Sequence, residues 1–180
     1  MKQGFAAVAA IVAIACWQPD GVTKELARMQ IAHLRVDSTL GDLLHHPAFA
    51  GFAQRILPWD DKAYDERLLL RDIGSLLPYH THVDPDLTVS ALNRMIDDVA
   101  VGRTVFYEFY TDAEMRSDPT KKHIGLFLFR GKPGAPFCVI APGGGFSYVG
   151  SVHEGFPHAV SQPRWRRSPD AALLLGATDR

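Results

Sequence analysis

The sequence predicts an α/β fold in which a helical segment is followed by the first strands of a sheet. Two observations carry that class. Apolar residues recur at helical spacing up to Gly102, and beyond it they give way to short β-branched and aromatic runs. A third observation concerns function: the last of these runs, 137–140, stops at Ala141-Pro142 and is followed by Gly143, Gly144 and Gly145. The chain has 180 residues, 47% hydrophobic and 22% charged, enough for one ordinary domain with a real core. Its formal net charge of −1 provides no global field to recruit nucleic acid or an anionic membrane, so neither is an expected partner.

Residues 1–15 have the order of a signal peptide. Lys2 precedes an apolar run over 5–15, and Ala13 and Ala15 form the small-residue exit. The run is too short to span a bilayer, which takes about 20 apolar residues. The structural alternative is a buried N-terminal helix. Export is expected, to the periplasm, to the medium or to a lipid anchor. Ala13-Ile14-Ala15-Cys16 resembles a bacterial lipobox with Ala13 in place of the usual Leu, which makes Cys16 the candidate lipidation site. Cleavage after Ala15 without lipidation is the alternative, and membrane contact is expected only through that anchor. Cys138, inside an apolar run, is expected in the core, with no disulfide.

Residues 16–102 are expected to form the helical segment, a candidate cap or lid. Apolar residues cluster over 24–34 and 40–57, with breaks at Pro47 and Pro58. The stretch 60–77 is charged but helix-compatible and carries Leu68, Leu69, Leu70 and Ile73. The clearest helix is 86–99, where Val89, Leu92, Ile96 and Val99 follow one face, Thr88 is placed to cap it and Gly102 closes it. Just before it, His80 and His82 form an H-x-H pair, a common metal-ligand spacing, but no further ligand set accompanies them, and no metal or other cofactor is expected. The structural alternative is a loop entering the helix, capped by Asp84 or Asp86. His45-His46 is a lesser pair of the same kind.

Residues 103–160 are expected to hold strands at 104–110, 124–129 and 137–140. A polar loop at 111–122 and turn chemistry at 130–136 separate them. The glycines admit three uses. A dinucleotide fingerprint would need glycine at Tyr148, and a P-loop would need Lys-Ser/Thr where Ser151-Val152 stand. A structural turn and an oxyanion-binding loop remain.

Ala141-Pro142-Gly143-Gly144-Gly145-Phe146, with the segment 147–159 after it, resembles the oxyanion loop and following helix of secreted bacterial α/β-hydrolases of the esterase/lipase group. The resemblance covers about 104–160, and the hairpin 105–110 and 124–129 is similar to the family's first two strands. It implies that Gly144 and Gly145 donate oxyanion-hole amides, that Pro142, Gly143 and Phe146 shape the loop, and that the substrate of the complete enzyme is a small-molecule ester. The family's G-x-S-x-G elbow occurs nowhere in this sequence, and no nucleophile, acid or histidine is assigned. Past residue 160 the family's crossover helix and next strand are not legible. Pro163 breaks the helix and Arg164-Trp165-Arg166-Arg167 replaces its apolar face, so 161–180 reads as a disordered, divergent tail of a truncated or frame-shifted hydrolase sequence. The competing expectation is a small exported, non-enzymatic binding or structural protein in which 142–145 is only a turn.

Overall fold

The computed structural model describes residues 32–77, 82–131, 133, 137–145 and 147–161, and the backbone of 171–175. The signal segment, Cys16, His80, Phe146 and Arg164 to Arg167 lie outside the described residues.

Helix α1 (Leu40–Leu44) begins where Thr39 and Asp42 satisfy each other. Thr39 Oγ1 accepts from Asp42 N at 3.1 Å and Asp42 Oδ2 accepts from Thr39 N at 2.7 Å. Pro47 opens a single 3₁₀ turn (Pro47–Phe49) capped by His46, and α2 (Ala53–Ile56) ends just before Pro58. Both prolines interrupt helix as expected. The stretch 60–77 does not form the continuous helix that its composition permits. The backbone around 66–71 bonds instead to 36–41, with Leu40 N donating to Leu68 O, Gly41 N to Glu66 O and Leu70 N to Ser38 O. Long-range partners replace the local i, i+4 ladder, and only a 3₁₀ segment (Leu70–Leu76) remains, with Leu70 and Ile73 buried.

Helix α3 (Pro85–Ala100) is the expected long helix, with a different cap. Asp84 accepts from Leu87 N at 3.1 Å, and Pro85 occupies the first turn, where its missing N–H costs nothing. Thr88 is fully buried inside the helix rather than capping it. Gly102, at φ +81°, ends the helix by donating to Val99 O, a left-handed position suited to glycine.

The sheet starts with an antiparallel hairpin of β1 (Phe106–Glu108) and β2 (Gly125–Phe129), Phe106 opposite Phe127. The loop expected over 111–122 contains α4 (Asp112–Ser117), capped by Thr111 and Glu114, and then a 3₁₀ turn (Pro119–His123). Strand β3 (Cys138–Ile140) leads into the glycines, a turn of π-helix (Ser151–Gly155) and α5 (Phe156–Ser161). Strand β4 (Ala171–Leu175) then inserts between β2 and β3, antiparallel to the first and parallel to the second, giving the order β1-β2-β4-β3. Residues 171–175, expected from the sequence as part of a disordered tail, thus form a next strand: an apolar run of five residues pairs on both sides there. Cys138 is a half-buried free thiol on the edge strand β3, not a core residue.

The helical segment and the sheet share one core. Phe52 stacks on Phe106 at 5.0 Å, Phe106 meets Phe127 at 4.9 Å, and Phe127 meets Phe156 at 4.9 Å. The chain of rings therefore runs from the segment read as a cap through the hairpin to the crossover helix. Arg55 reinforces it, bonding Glu108 at 2.9 Å while its guanidinium lies over the Phe106 ring. Among the described residues no helix is long and apolar enough to cross a membrane.

Candidate functional site

The glycines sit at the carboxyl end of β3, where the chain leaves the sheet for the crossover. Ligands of open α/β sheets bind outside that end of the strands. The three glycines are not equivalent. Gly143 N–H donates to Glu154 Oε2 at 2.8 Å, and Gly143 O accepts from Gly150 N at 2.9 Å, so this first glycine is fixed on both sides. Gly144 O accepts from Ser147 N at 2.9 Å and from Tyr148 N at 3.3 Å, which closes a tight turn. Gly145 takes φ +56° at its exposed tip. Among the described residues no acceptor receives the N–H of Gly144 or Gly145. Turns of this kind point successive amides into an anion-binding concavity.

The far side of the loop is braced by residues from the helical segment. Trp59 Nε1 donates to Ser147 O at 2.8 Å, Val149 N donates to Pro58 O at 3.0 Å, and the Trp59 and Tyr148 rings meet edge-on at 5.7 Å. Lys62 Nζ lies 3.6 Å from the centre of the Trp59 ring. Tyr64 holds the Trp59 backbone: its hydroxyl donates to Trp59 O at 2.7 Å and accepts from Trp59 N at 2.8 Å. Burial pushes the Tyr64 phenol up to about 12 from its ordinary 10, with Asp60 and Asp61 adding to the rise and the Trp59 backbone bond opposing it. Between those values the unfolded chain gives up a proton that the folded chain keeps, so this contribution to stability is lost as pH rises through that window. A spectrophotometric phenol titration is expected to show one late tyrosine that Tyr64→Phe removes. The same variant strands both Trp59 backbone groups and is expected to cost about 1–3 kcal/mol in chemical denaturation.

The serines near the loop are not placed as nucleophiles. Ser151 is fully buried, and its Oγ has no hydrogen-bond partner among the described residues. Ser147 is exposed, and among the described residues no imidazole bonds either hydroxyl. His153 is spent on structure: its Nε2 lies 3.0 Å from Ile73 O, which makes that nitrogen the donor. His82 is exposed on the approach to α3, and among the described residues no three His, Cys, Asp or Glu side chains are grouped to hold a metal. His45 pairs with Glu66 at 3.1 Å, and His46 bonds Ala32 O and Ala48 N, both structural uses.

Sequence reasoning missed two features. One is His123 Nδ1 against Asp60 Oδ2 at 2.6 Å, joining residues 63 apart that no motif connects. The other is Glu154, whose link to Gly143 only the folded loop reveals. The fold and site together define a mixed α/β protein with an amide-lined turn at a strand end. Comparison with family models, with characterised proteins and with solved structures returns no match.

Proposed function

We propose that this chain carries the oxyanion-binding part of an exported serine ester hydrolase of the α/β-hydrolase kind. The observation that carries it is a pair of amides, Gly144 and Gly145, that no acceptor takes among the described residues, in a tight turn at the end of β3. The surroundings support it. The turn is followed by a helix and then by β4, parallel to β3, so the loop occupies the strand-to-helix joint of a βαβ crossover attached to an antiparallel hairpin. Export rests on Lys2, the apolar run 5–15 and the candidate anchor Cys16.

The chemistry follows from the amides. When a hydroxyl oxygen attacks an ester carbonyl, the carbonyl electron pair moves onto oxygen, and the resulting anion needs donors already aimed at it. Two rigid backbone N–H groups supply them with no reorganisation, and removing one such donor typically costs about 10²–10³ in turnover. The nucleophile, the base that takes its proton and the acid that orients the base belong to the rest of the catalytic set. None is assigned here, because the sequence holds no G-x-S-x-G.

Butyrate, the anionic product of a short-chain ester, tests this directly. In ¹⁵N-labelled protein it is expected to move the Gly144 and Gly145 amide resonances saturably while leaving those of Gly51 and Gly102 in place. The same protein given p-nitrophenyl butyrate is expected to show no turnover that Ser147→Ala or Ser151→Ala removes. Unmoved Gly144 and Gly145 resonances would reduce the loop to a structural turn.

A further inference from the structure

Between Gly143 and Gly150, under the loop, lies the carboxylate of Glu154. Its Oε2 accepts from Gly143 N at 2.8 Å, while its own backbone N donates to Gly150 O at 2.8 Å and Gly150 N donates to Gly143 O at 2.9 Å. The three residues thus close a ring that joins the end of β3 to the turn of π-helix. Both glycines leave the carboxylate room. A Cβ at Gly143 would stand 3.1 Å from Glu154 Oε2, and one at Gly150 would stand 3.2 Å from its carboxyl carbon. The π-helical geometry of 151–155 makes this possible: both Glu154 N and Gly155 N donate to Gly150 O, which brings the Glu154 side chain back over the glycines.

A carboxylate already occupies the first amide of a loop whose next two amides meet no acceptor among the described residues. We infer that Glu154 is a positioning residue for the oxyanion loop, fixing Gly143 so that only the Gly144 and Gly145 amides face an incoming anion. This rests on the oxyanion assignment above. A charge-assisted bond to a backbone N–H is roughly twice as strong as a neutral one, which suits a staple that must hold a glycine-rich turn in one shape. The arrangement has an electrostatic cost, because a fixed negative charge beside the loop repels the anion the loop is to bind. Positioning and repulsion therefore predict opposite signs when that charge is removed.

Glu154→Gln keeps the size and an acceptor oxygen but loses the charge, and Glu154→Ala removes the staple altogether. In full-length ¹⁵N-labelled protein, the Gly143 amide proton is expected to move upfield in both variants. Butyrate affinity at Gly144 and Gly145 is expected to fall several-fold in Glu154→Gln and about tenfold or more in Glu154→Ala, the loss expected for a charged hydrogen bond. Unchanged Gly51 and Gly102 resonances show that each variant remains folded, and Glu154→Gln carries the test if Glu154→Ala does not. Unchanged or tighter butyrate binding in Glu154→Gln, with normal binding in the parent, overturns the positioning role and leaves the oxyanion assignment standing. Absence of butyrate shifts in the parent overturns both.

Discussion

Gly144→Ala is expected to dismantle the loop, whereas Gly145→Ala, one residue on, is expected to leave it usable. A Cβ at Gly144 would lie 1.6 Å from the Tyr148 carbonyl oxygen, a backbone atom that no rotamer change can move aside. Relief requires opening the turn in which Gly144 O accepts from Ser147 N and Tyr148 N, and that displaces Ser147 O from the Trp59 indole. Losing two or three hydrogen bonds costs about 2–4 kcal/mol. For a chain of this size that lowers the melting temperature by about 5–15 °C. Gly145 presents the opposite case, since nothing lies within 4 Å of its added Cβ and the objection is only its φ of +56°. Left-handed backbone at a non-glycine residue costs about 1–2 kcal/mol, so its melting point should fall by a few degrees. Butyrate response is expected to vanish in Gly144→Ala and to persist in Gly145→Ala. A Gly144→Ala protein that melts like the parent and still binds butyrate would falsify this account of the turn.

The contrast between the two glycines was not legible in the sequence, where they are neighbours in one run. What sequence does carry is local chemistry. Pro47 and Pro58 stop helices because a proline lacks the N–H they need, and Gly102 ends α3 because it tolerates φ +81°. The 86–99 stripe is there because Leu92 and Ile96 pack on one face. Thr111-Asp112-Ala113-Glu114 carries a legible capping box inside the stretch expected as a loop. Failures arose where long-range partners decided the outcome. Residues 66–71 exchange helix for backbone pairing with 36–41, and 171–175 becomes a strand because β2 and β3 each offer it an unpaired edge.

The candidate site divides the same way. Three glycines after an apolar strand and a proline announce bare amides, and at the end of β3 those of Gly144 and Gly145 meet no acceptor among the described residues, whereas that of Gly143 is bonded. Which amide is spoken for depends on Glu154, eleven residues away from Gly143, and on a π-helical turn that no periodicity rule anticipates. The brace from Pro58 and Trp59 depends on residues separated from Ser147 by most of the sheet's sequence. Spacing gives the parts of such a device, while tertiary contacts decide which part is free to act.

Phe127→Ala is expected to be the most destabilising single core substitution at this junction. Phe127 is fully buried on β2, and its ring meets Phe106 at 4.9 Å, Phe52 at 5.8 Å and Phe156 at 4.9 Å. It therefore touches the helical segment, the hairpin and the crossover helix at once. Truncating a buried phenylalanine costs about 3–5 kcal/mol, because the cavity left behind relaxes only in part. Set against a total stability of about 5–15 kcal/mol, that is a large share, and the melting point should fall by about 10 °C or more. The manner of the fall matters as much as its size. A detachable cap at 16–102 would melt apart from the sheet and feel a β2 substitution little. A shared core makes the helical circular-dichroism signal and the Gly144 amide resonance disappear together, at one lowered temperature. A double-mutant cycle with Phe52→Ala is expected to show non-additivity of about 0.5–1.5 kcal/mol, the range for aromatic pairs in contact. Two separable transitions, with α3 outlasting the sheet, would restore the independent cap. A single transition means that the glycine loop is held at the end of β3 by packing that starts at Phe52.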